Sequence, residues 1–275
     1  MDKKAKKEFI EKNDGCDKLI GRPVRINQRK LKPKKNTNYA EIIFWGDIHI
    51  GYPTSNIARA SRTLEYALDN KAYIVVMGDV VESGLTQSPG GAVYRQTLNP
   101  QAQMEQAVEM LAPAAKEKLI IGLHCGNHEQ RITNVTGIDI SKIMAKMLGI
   151  RYLGYACWSI LSLGGIRYSL YSQHGSSGSR FKHTKLKAIM DQAAWINSDI
   201  LAMGHVHSLA TEPIIKHGYD RTLNKVVQEK QVVILTGAYL EWDDSYAQMK
   251  AYPITKIGSP KAKLVVSEKD VHVRV

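Results

Sequence analysis

Beyond Tyr39 the chain changes texture, from lysine-studded polar sequence to short apolar runs separated by longer amphipathic stretches. Short apolar runs bounded by glycine and polar residues predict strands, and apolar positions three and four apart predict helices. Strands are expected over 41–45, 73–77, 118–123, 158–163, 167–172, 199–203 and 231–236. Helices are expected over 55–70, 99–116, 137–148 and 180–197. The last stretch, 263–275, alternates as an edge hairpin does. Strands and helices alternate through the first half and strands dominate the second. That order predicts one α/β domain over residues 40–275, preceded by a basic arm over residues 1–39.

At 275 residues, 44% hydrophobic and 23% charged, the chain has enough apolar sequence to bury a large core. No apolar run reaches the roughly 18 residues of a membrane-spanning helix, so no membrane span is expected. Cys16, Cys125 and Cys157 are too scattered for a disulfide framework or a cysteine-type zinc site. The charged opening residues carry no apolar stretch of the secretory kind, and a cytoplasmic setting is the expectation. The net charge of +12 is uneven: residues 1–39 hold thirteen Lys or Arg against five Asp or Glu. Arg22, Arg25, Arg29, Lys30, Lys32, Lys34 and Lys35 form a cluster able to neutralise phosphates of a nucleic acid and release counterions. A solvated terminus that aids solubility is the other reading of the same charge.

The informative residues follow the strands. Gly46-Asp47-Ile48-His49-Ile50-Gly51 comes after the first run, Gly78-Asp79-Val80-Val81-Glu82 after the second, and Gly126-Asn127-His128-Glu129 after the third. Gln173-His174-Gly175 and Gly204-His205-Val206-His207 follow later ones. Open α/β sheets present their ligand crevice at strand C-termini, where all five blocks fall. Asp, His and Asn together suit divalent ions such as manganese, iron(II) or zinc. The pairs Asp47/His49 and His205/His207 are spaced i, i+2, which in extended backbone puts both side chains on one side. Seven ligands exceed the needs of one such ion and suit two, with Asp79 as the central carboxylate to bridge them.

In this order the blocks GDxHxG, GDxxE, GNHE, a lone histidine before glycine, and GHxH resemble the calcineurin-like metallophosphoesterases. That family includes repair nucleases, Ser/Thr protein phosphatases and cyclic-nucleotide phosphodiesterases. The resemblance implies a four-layer αββα sandwich of two mixed sheets flanked by helices, with two metal ions at one sheet edge. It implies that Asp47, His49 and His207 hold one ion, that Asn127, His174 and His205 hold the other, and that Asp79 bridges them. His128 would contact the substrate phosphate and protonate the leaving oxygen, with Glu129 orienting it. Manganese is the expected ion, with iron(II), zinc or magnesium as alternatives. The implied step is direct attack at phosphorus by a metal-bridging hydroxide.

For the substrate, a phosphodiesterase or nuclease acting on DNA is the leading expectation. A phosphomonoesterase or small-molecule phosphodiesterase is the alternative, and a non-catalytic binding module a third. The basic arm and the sequence Gly78-Asp79-Val80-Val81-Glu82-Ser83-Gly84 favour the first, because protein phosphatases of the family carry arginine where Ser83 stands. Glu129, where the repair nucleases have aspartate, and the 68 residues after His207, too few for a DNA-capping domain, set the chain apart from those nucleases. Arg131, Arg180, Lys182 and His183 are candidate phosphate contacts, the last three beside a Gly/Ser loop that enters a helix. Tyr52, Tyr94, Trp242 and Tyr246 are candidate stacking residues. His124, closing an apolar strand, reads as structural.

Overall fold

Every residue of Ala40–Trp45 is buried, which requires cover on both faces of the strand. Ile42 and Phe44 point to one core cluster, and Ile43 and Trp45 to another. The computed structural model, which describes residues 26–86, 88, 92–222 and 224–275, supplies that cover as four layers. One six-stranded sheet has the order β1 (Ile26–Lys30), β6 (Ala156–Leu163), β7 (Ile166–Gln173), β8 (Ile200–Met203), β10 (Lys225–Thr236), β9 (Leu209–Asp220). The other has the order β12 (Val271–Arg274), β11 (Lys261–Val265), β2 (Tyr39–Trp45), β3 (Tyr73–Val76), β4 (Ile120–His124), β5 (Tyr152–Gly154). Both are mixed: β2 to β5 run parallel with β11 antiparallel at their side, and β7, β8 and β10 run parallel between antiparallel neighbours.

Ile42, Phe44 and Val75 meet Leu161, Leu170 and Ile234 between the sheets. The outer face of the second sheet, through Ile43, Trp45 and Ile74, packs on α1 (Ile57–Asn70), α3 (Pro100–Lys116) and α5 (Ile140–Met147). The outer face of the first, through Leu201, Met203 and Val233, packs on Ile189 of α6 (Lys182–Gln192). Short helices α2 (Ala92–Arg95) and α7 (Tyr246–Met249), and α4 (Asn127–Thr136), complete the set. The capping residues are legible: Asn56, Asn99 and Asp139 accept from Arg59, Ala102 and Lys142 N–H at 2.9, 3.0 and 2.9 Å.

Part of the segment expected as a basic arm is built into a sheet. Ile26–Lys30 is β1, paired parallel with β6 from Ile26/Trp158 to Lys30/Ser162. Leu31, 3% exposed, enters the inter-sheet core. The sequence INQRK hides this strand because an outermost strand needs the backbone ladder but little apolar surface. Its buried Asn27 donates to Ile121 O at 3.2 Å. Residues 1–25, with Arg22 and Arg25, lie outside the described residues. No helix among the described residues is long and apolar enough to cross a membrane.

Candidate active site

Strands β2, β3, β4, β7 and β8 deliver their following residues to one rim, where the two sheets' loops are bonded together. Asp47 N–H donates to Gly78 O (2.9 Å), and His205 N–H donates to Asp47 Oδ1 (3.0 Å). The turns are sharper than an extended i, i+2 spacing. Asp47, His49, Asp79, His205 and His207 all have left-handed backbone, with φ of 53°, 55°, 46°, 67° and 48°. Both members of each i, i+2 pair therefore converge through strained turn geometry rather than through strand pleating. Glycine makes the close approach feasible: a Cβ on Gly126 would collide with Asp79 Oδ1, and one on Gly78, at φ 88°, would lie 2.7 Å from Gly126 N.

These turns assemble two donor sets. In the first, His207 Nε2 lies 3.1 Å from His49 Nε2 and 3.3 Å from Asp47 Oδ1. In the second, Asn127 Oδ1 lies 3.0 Å from His174 Nε2 and 2.7 Å from His205 Nδ1. Asp79 stands between them, its Oδ2 3.2 Å from His174 Nε2 and 4.0 Å from His49 Nε2. Donors about 2.1 Å from one ion, at right to tetrahedral angles, are about 3.0–3.4 Å apart, and four of these six spacings fall in that range, as divalent cations require. The chemistry of the set agrees, being carboxylate, amide oxygen and imidazole without thiolate.

Hydrogen bonds fix which ring nitrogens face inward. His174 Nδ1 donates to Met77 O (2.9 Å), leaving Nε2 toward Asp79. His49 Nδ1 lies 3.1 Å from Glu82 Oε2, leaving its Nε2 toward His207. Burial and the charge of His174 bring His205 down to about 4, and burial with His128 lowers His49, so both imidazoles stay neutral and able to ligate. Burial would raise Asp79, yet His174, His128 and His49 outweigh it and hold the carboxyl well below its usual range. For His174 burial opposes charge, but Asp79 prevails and raises it to about 10, so a cation entering the second set would have to displace that proton.

The structure reassigns one role. Glu129, fully buried, does not orient His128: its carboxylate accepts the backbone N–H groups of Asp79 (3.0 Å), Val80 (2.7 Å), Val81 (3.3 Å) and Gly126 (2.8 Å). As the third residue of α4, it folds back over the helix start and ties the turn after β3 to the turn after β4. The group that holds His128 is Glu82, whose carbonyl O and Oε2 lie 2.9 and 3.1 Å from His128 Nδ1. Sequence reasoning missed this role, although Glu82 was in view as the last residue of its block. The same Oε2 holds His49, so one buried carboxylate positions a candidate ligand and the candidate acid together.

Of the expected phosphate contacts, Arg131 reaches the site: its Nη2 is 2.9 Å from His128 Nε2 and its Nη1 3.2 Å from Glu82 Oε1. Arg180 instead lies over the Tyr252 ring, 5.8 Å from its centre, and Lys182 and His183 are exposed on α6, His183 stacked on Phe181. In the basic segment, Arg29 donates to Lys118 O and Lys34 to Asn70 Oδ1, while Lys30, Lys32 and Lys35 are exposed. His49, Asp79, His128, His205 and His207 line a cleft of about 380 Å³ whose wall includes Tyr52, Trp242 and Tyr252. Tyr94 is exposed, and the Tyr246 side chain lies outside the described residues.

Comparison with known proteins matches residues 40–237 to the calcineurin-like phosphoesterase family. Among solved structures the chain is similar to a metallophosphoesterase from Sphaerobacter thermophilus, at 15% identity over 86% of this chain and 87% of that one, with a TM-score of 0.41. It is also similar to a conserved uncharacterized protein from Streptococcus pneumoniae, named as a predicted phosphoesterase, at 10% identity over 86% and 99% of the two chains and a TM-score of 0.35. A single mutant of Vps29 from Entamoeba histolytica is similar at 12% identity over 85% and 97%, again with a TM-score of 0.35. Comparison with curated proteins gave no match. A family match across most of the chain, joined to these Asp and His donor clusters, makes the protein a member of the calcineurin-like phosphoesterases, a metal-dependent phosphoester hydrolase.

Proposed function

We propose that the protein is a phosphodiesterase that hydrolyses nucleic acid, DNA foremost, with two divalent cations held by the donor sets Asp47/His49/His207 and Asn127/His174/His205. The observation that carries this reading is the placement of Asp79, one carboxylate oxygen within 4.0 Å of an imidazole from each set. When bound, such a pair of cations supplies a water acidified toward neutral pH and positive charge against the phosphoryl oxygens.

The chain's own residues complete the chemistry. With Nδ1 of His128 held by Glu82, Nε2 is the nitrogen that turns to the leaving oxygen once Arg131 Nη2, 2.9 Å away, is drawn off to the phosphoryl oxygens. Burial opposes charge on His128, but Asp79 and Glu82 outweigh it and raise its pKa, which favours the acid form near neutral pH. Arg131 Nη2 donates to His128 Nε2 at 2.9 Å, and an anionic oxygen entering between them would take a hydrogen bond from Arg131 and, once Nε2 is protonated, from His128 as well. Water is the attacking group, without a covalent intermediate: burial and the charge of Glu129 push the nearby Cys125 thiol up to about 12, where it is inert.

The diester preference is supported by the aromatic wall of Tyr52, Trp242 and Tyr252, which offers apolar surface for an organic group on either side of phosphorus. Manganese-supported hydrolysis of bis-p-nitrophenyl phosphate, p-nitrophenyl phosphate, and single- and double-stranded DNA tests the reading. Turnover of the diester above the monoester, with DNA cleavage, is expected. Preference for the monoester would overturn the diesterase reading, and diester turnover without DNA cleavage would overturn the nuclease part alone.

A further inference from the structure

Lys185 of α6 is a buried charge for which the chemistry above has no use. It is 8% exposed, lines the cleft, and donates to Val206 O (2.7 Å) and Ser208 Oγ (3.2 Å). Among the described residues no carboxylate pairs with it, and its third N–H has no acceptor. An ammonium withdrawn from water and answered only by neutral oxygens is costly, and such a charge persists where something else completes its shell. Burial lowers its pKa, as expected of a cation short of a counter-charge.

The surroundings suit an anion as the missing partner. Val206 lies between the donors His205 and His207, so the ammonium adjoins the metal-binding turn, whereas Arg131 adjoins His128. The segment Ser177–Ser179 lines the same cleft without bulky side chains, and beside Gly178 a Cβ would meet open space. The one glutamate of the cleft outside the donor region, Glu241, is engaged by Asn56.

We propose that Lys185 recognises a second anionic group on the substrate, a phosphate or carboxylate adjoining the ester that reacts, as successive phosphates adjoin one another along a nucleic-acid strand. This deepens the phosphodiesterase reading and rests on it. Its rival is a purely structural lysine that braces the Val206 carbonyl. A brace affects every substrate equally, whereas an anion contact acts on the substrates that carry the second charge.

The matched pair is thymidine 5′-(p-nitrophenyl phosphate) with and without a 3′-phosphate, assayed with manganese. Wild type is expected to show the lower KM for the 3′-phosphorylated substrate. Lys185→Met is expected to erode that advantage about tenfold, the scale of one lost hydrogen bond to a charged group, and Lys185→Arg to keep most of it. In parallel, calorimetry compares thymidine 3′,5′-bisphosphate with thymidine 5′-monophosphate on the manganese-loaded proteins, and the same selective loss is expected in Kd. An equal change for both members of each pair in Lys185→Met, or no preference in wild type, would overturn the proposal. If wild type turns over neither ester, the phosphodiesterase reading fails, and the calorimetric pair alone decides whether Lys185 selects the second anion.

Discussion

The two donor sets are anchored by different means. In the second, His174 is fixed by a main-chain carbonyl and Asn127 by its place at the start of α4, so the backbone itself holds two of the three candidate ligands. In the first, His49 depends on the Glu82 side chain, and the His207 side chain is 34% exposed. The second set is thus the rigid member and the first the adjustable one. Because Glu82 also holds His128, the first set and the proposed proton donor share one anchor.

The largest expected effect comes from removing what the sets share. Asp79→Asn should cut manganese-supported diester turnover by about 10⁴-fold and halve the metal bound per chain in dialysed protein. Unchanged metal content would show that the sets do not meet at Asp79. Sparing both sets, His128→Asn should keep its metal yet lose about 10³-fold in kcat. Full activity in that variant would remove the imidazole from the chemistry. Glu82→Gln should weaken one ion and not the other, with activity down about 10–100-fold and the melting temperature little changed. Glu129→Ala makes the contrast: four backbone N–H groups lose their acceptor, and the cost appears as about 3 kcal/mol or more of stability in urea unfolding.

A smaller effect lies beneath the rigid set. His124, fully buried and bonded to Gly154 O and Ser172 Oγ, is held neutral by burial, its pKa lowered to about 4. The unfolded chain takes up this proton below about 6.5 and the folded chain does not until about 4. Stability is therefore full above pH 6.5 and falls as pH drops toward 4, by about 3 kcal/mol in all. Urea unfolding at pH 7 and 4.5 should show the loss, and His124→Gln should flatten that dependence.

Much of the rigid framework was legible because apolar runs, capping residues and ligand blocks each leave local marks. The parallel strands β2, β3 and β4 are apolar but for Glu41 and His124, and Asn99 followed by Pro100 announces α3. What escaped notice leaves weaker marks. Strand β1 is polar, and α4 buries only Glu129 along its length, so neither shows an apolar period. The roles of Glu82 and Glu129 depend on where two turns meet in space, a relation between residues 79–82 and 126–129 that no local pattern encodes. Lys185 reads as one more helix lysine until the turn carrying Val206 is laid against it.

Five of the metal-binding candidates pay for their positions in left-handed backbone, a conformation that costs a side-chain-bearing residue about 1 kcal/mol or more. Selection for heat resistance alone would therefore favour erasing this centre. His207→Gly and His207→Ala both discard the same imidazole, yet the glycine variant should melt at the higher temperature, by about 1 kcal/mol of stability. Survivors of a thermal screen blind to catalysis would drift toward glycine at positions 47, 49, 79, 205 and 207, ending as durable proteins with nothing left to do.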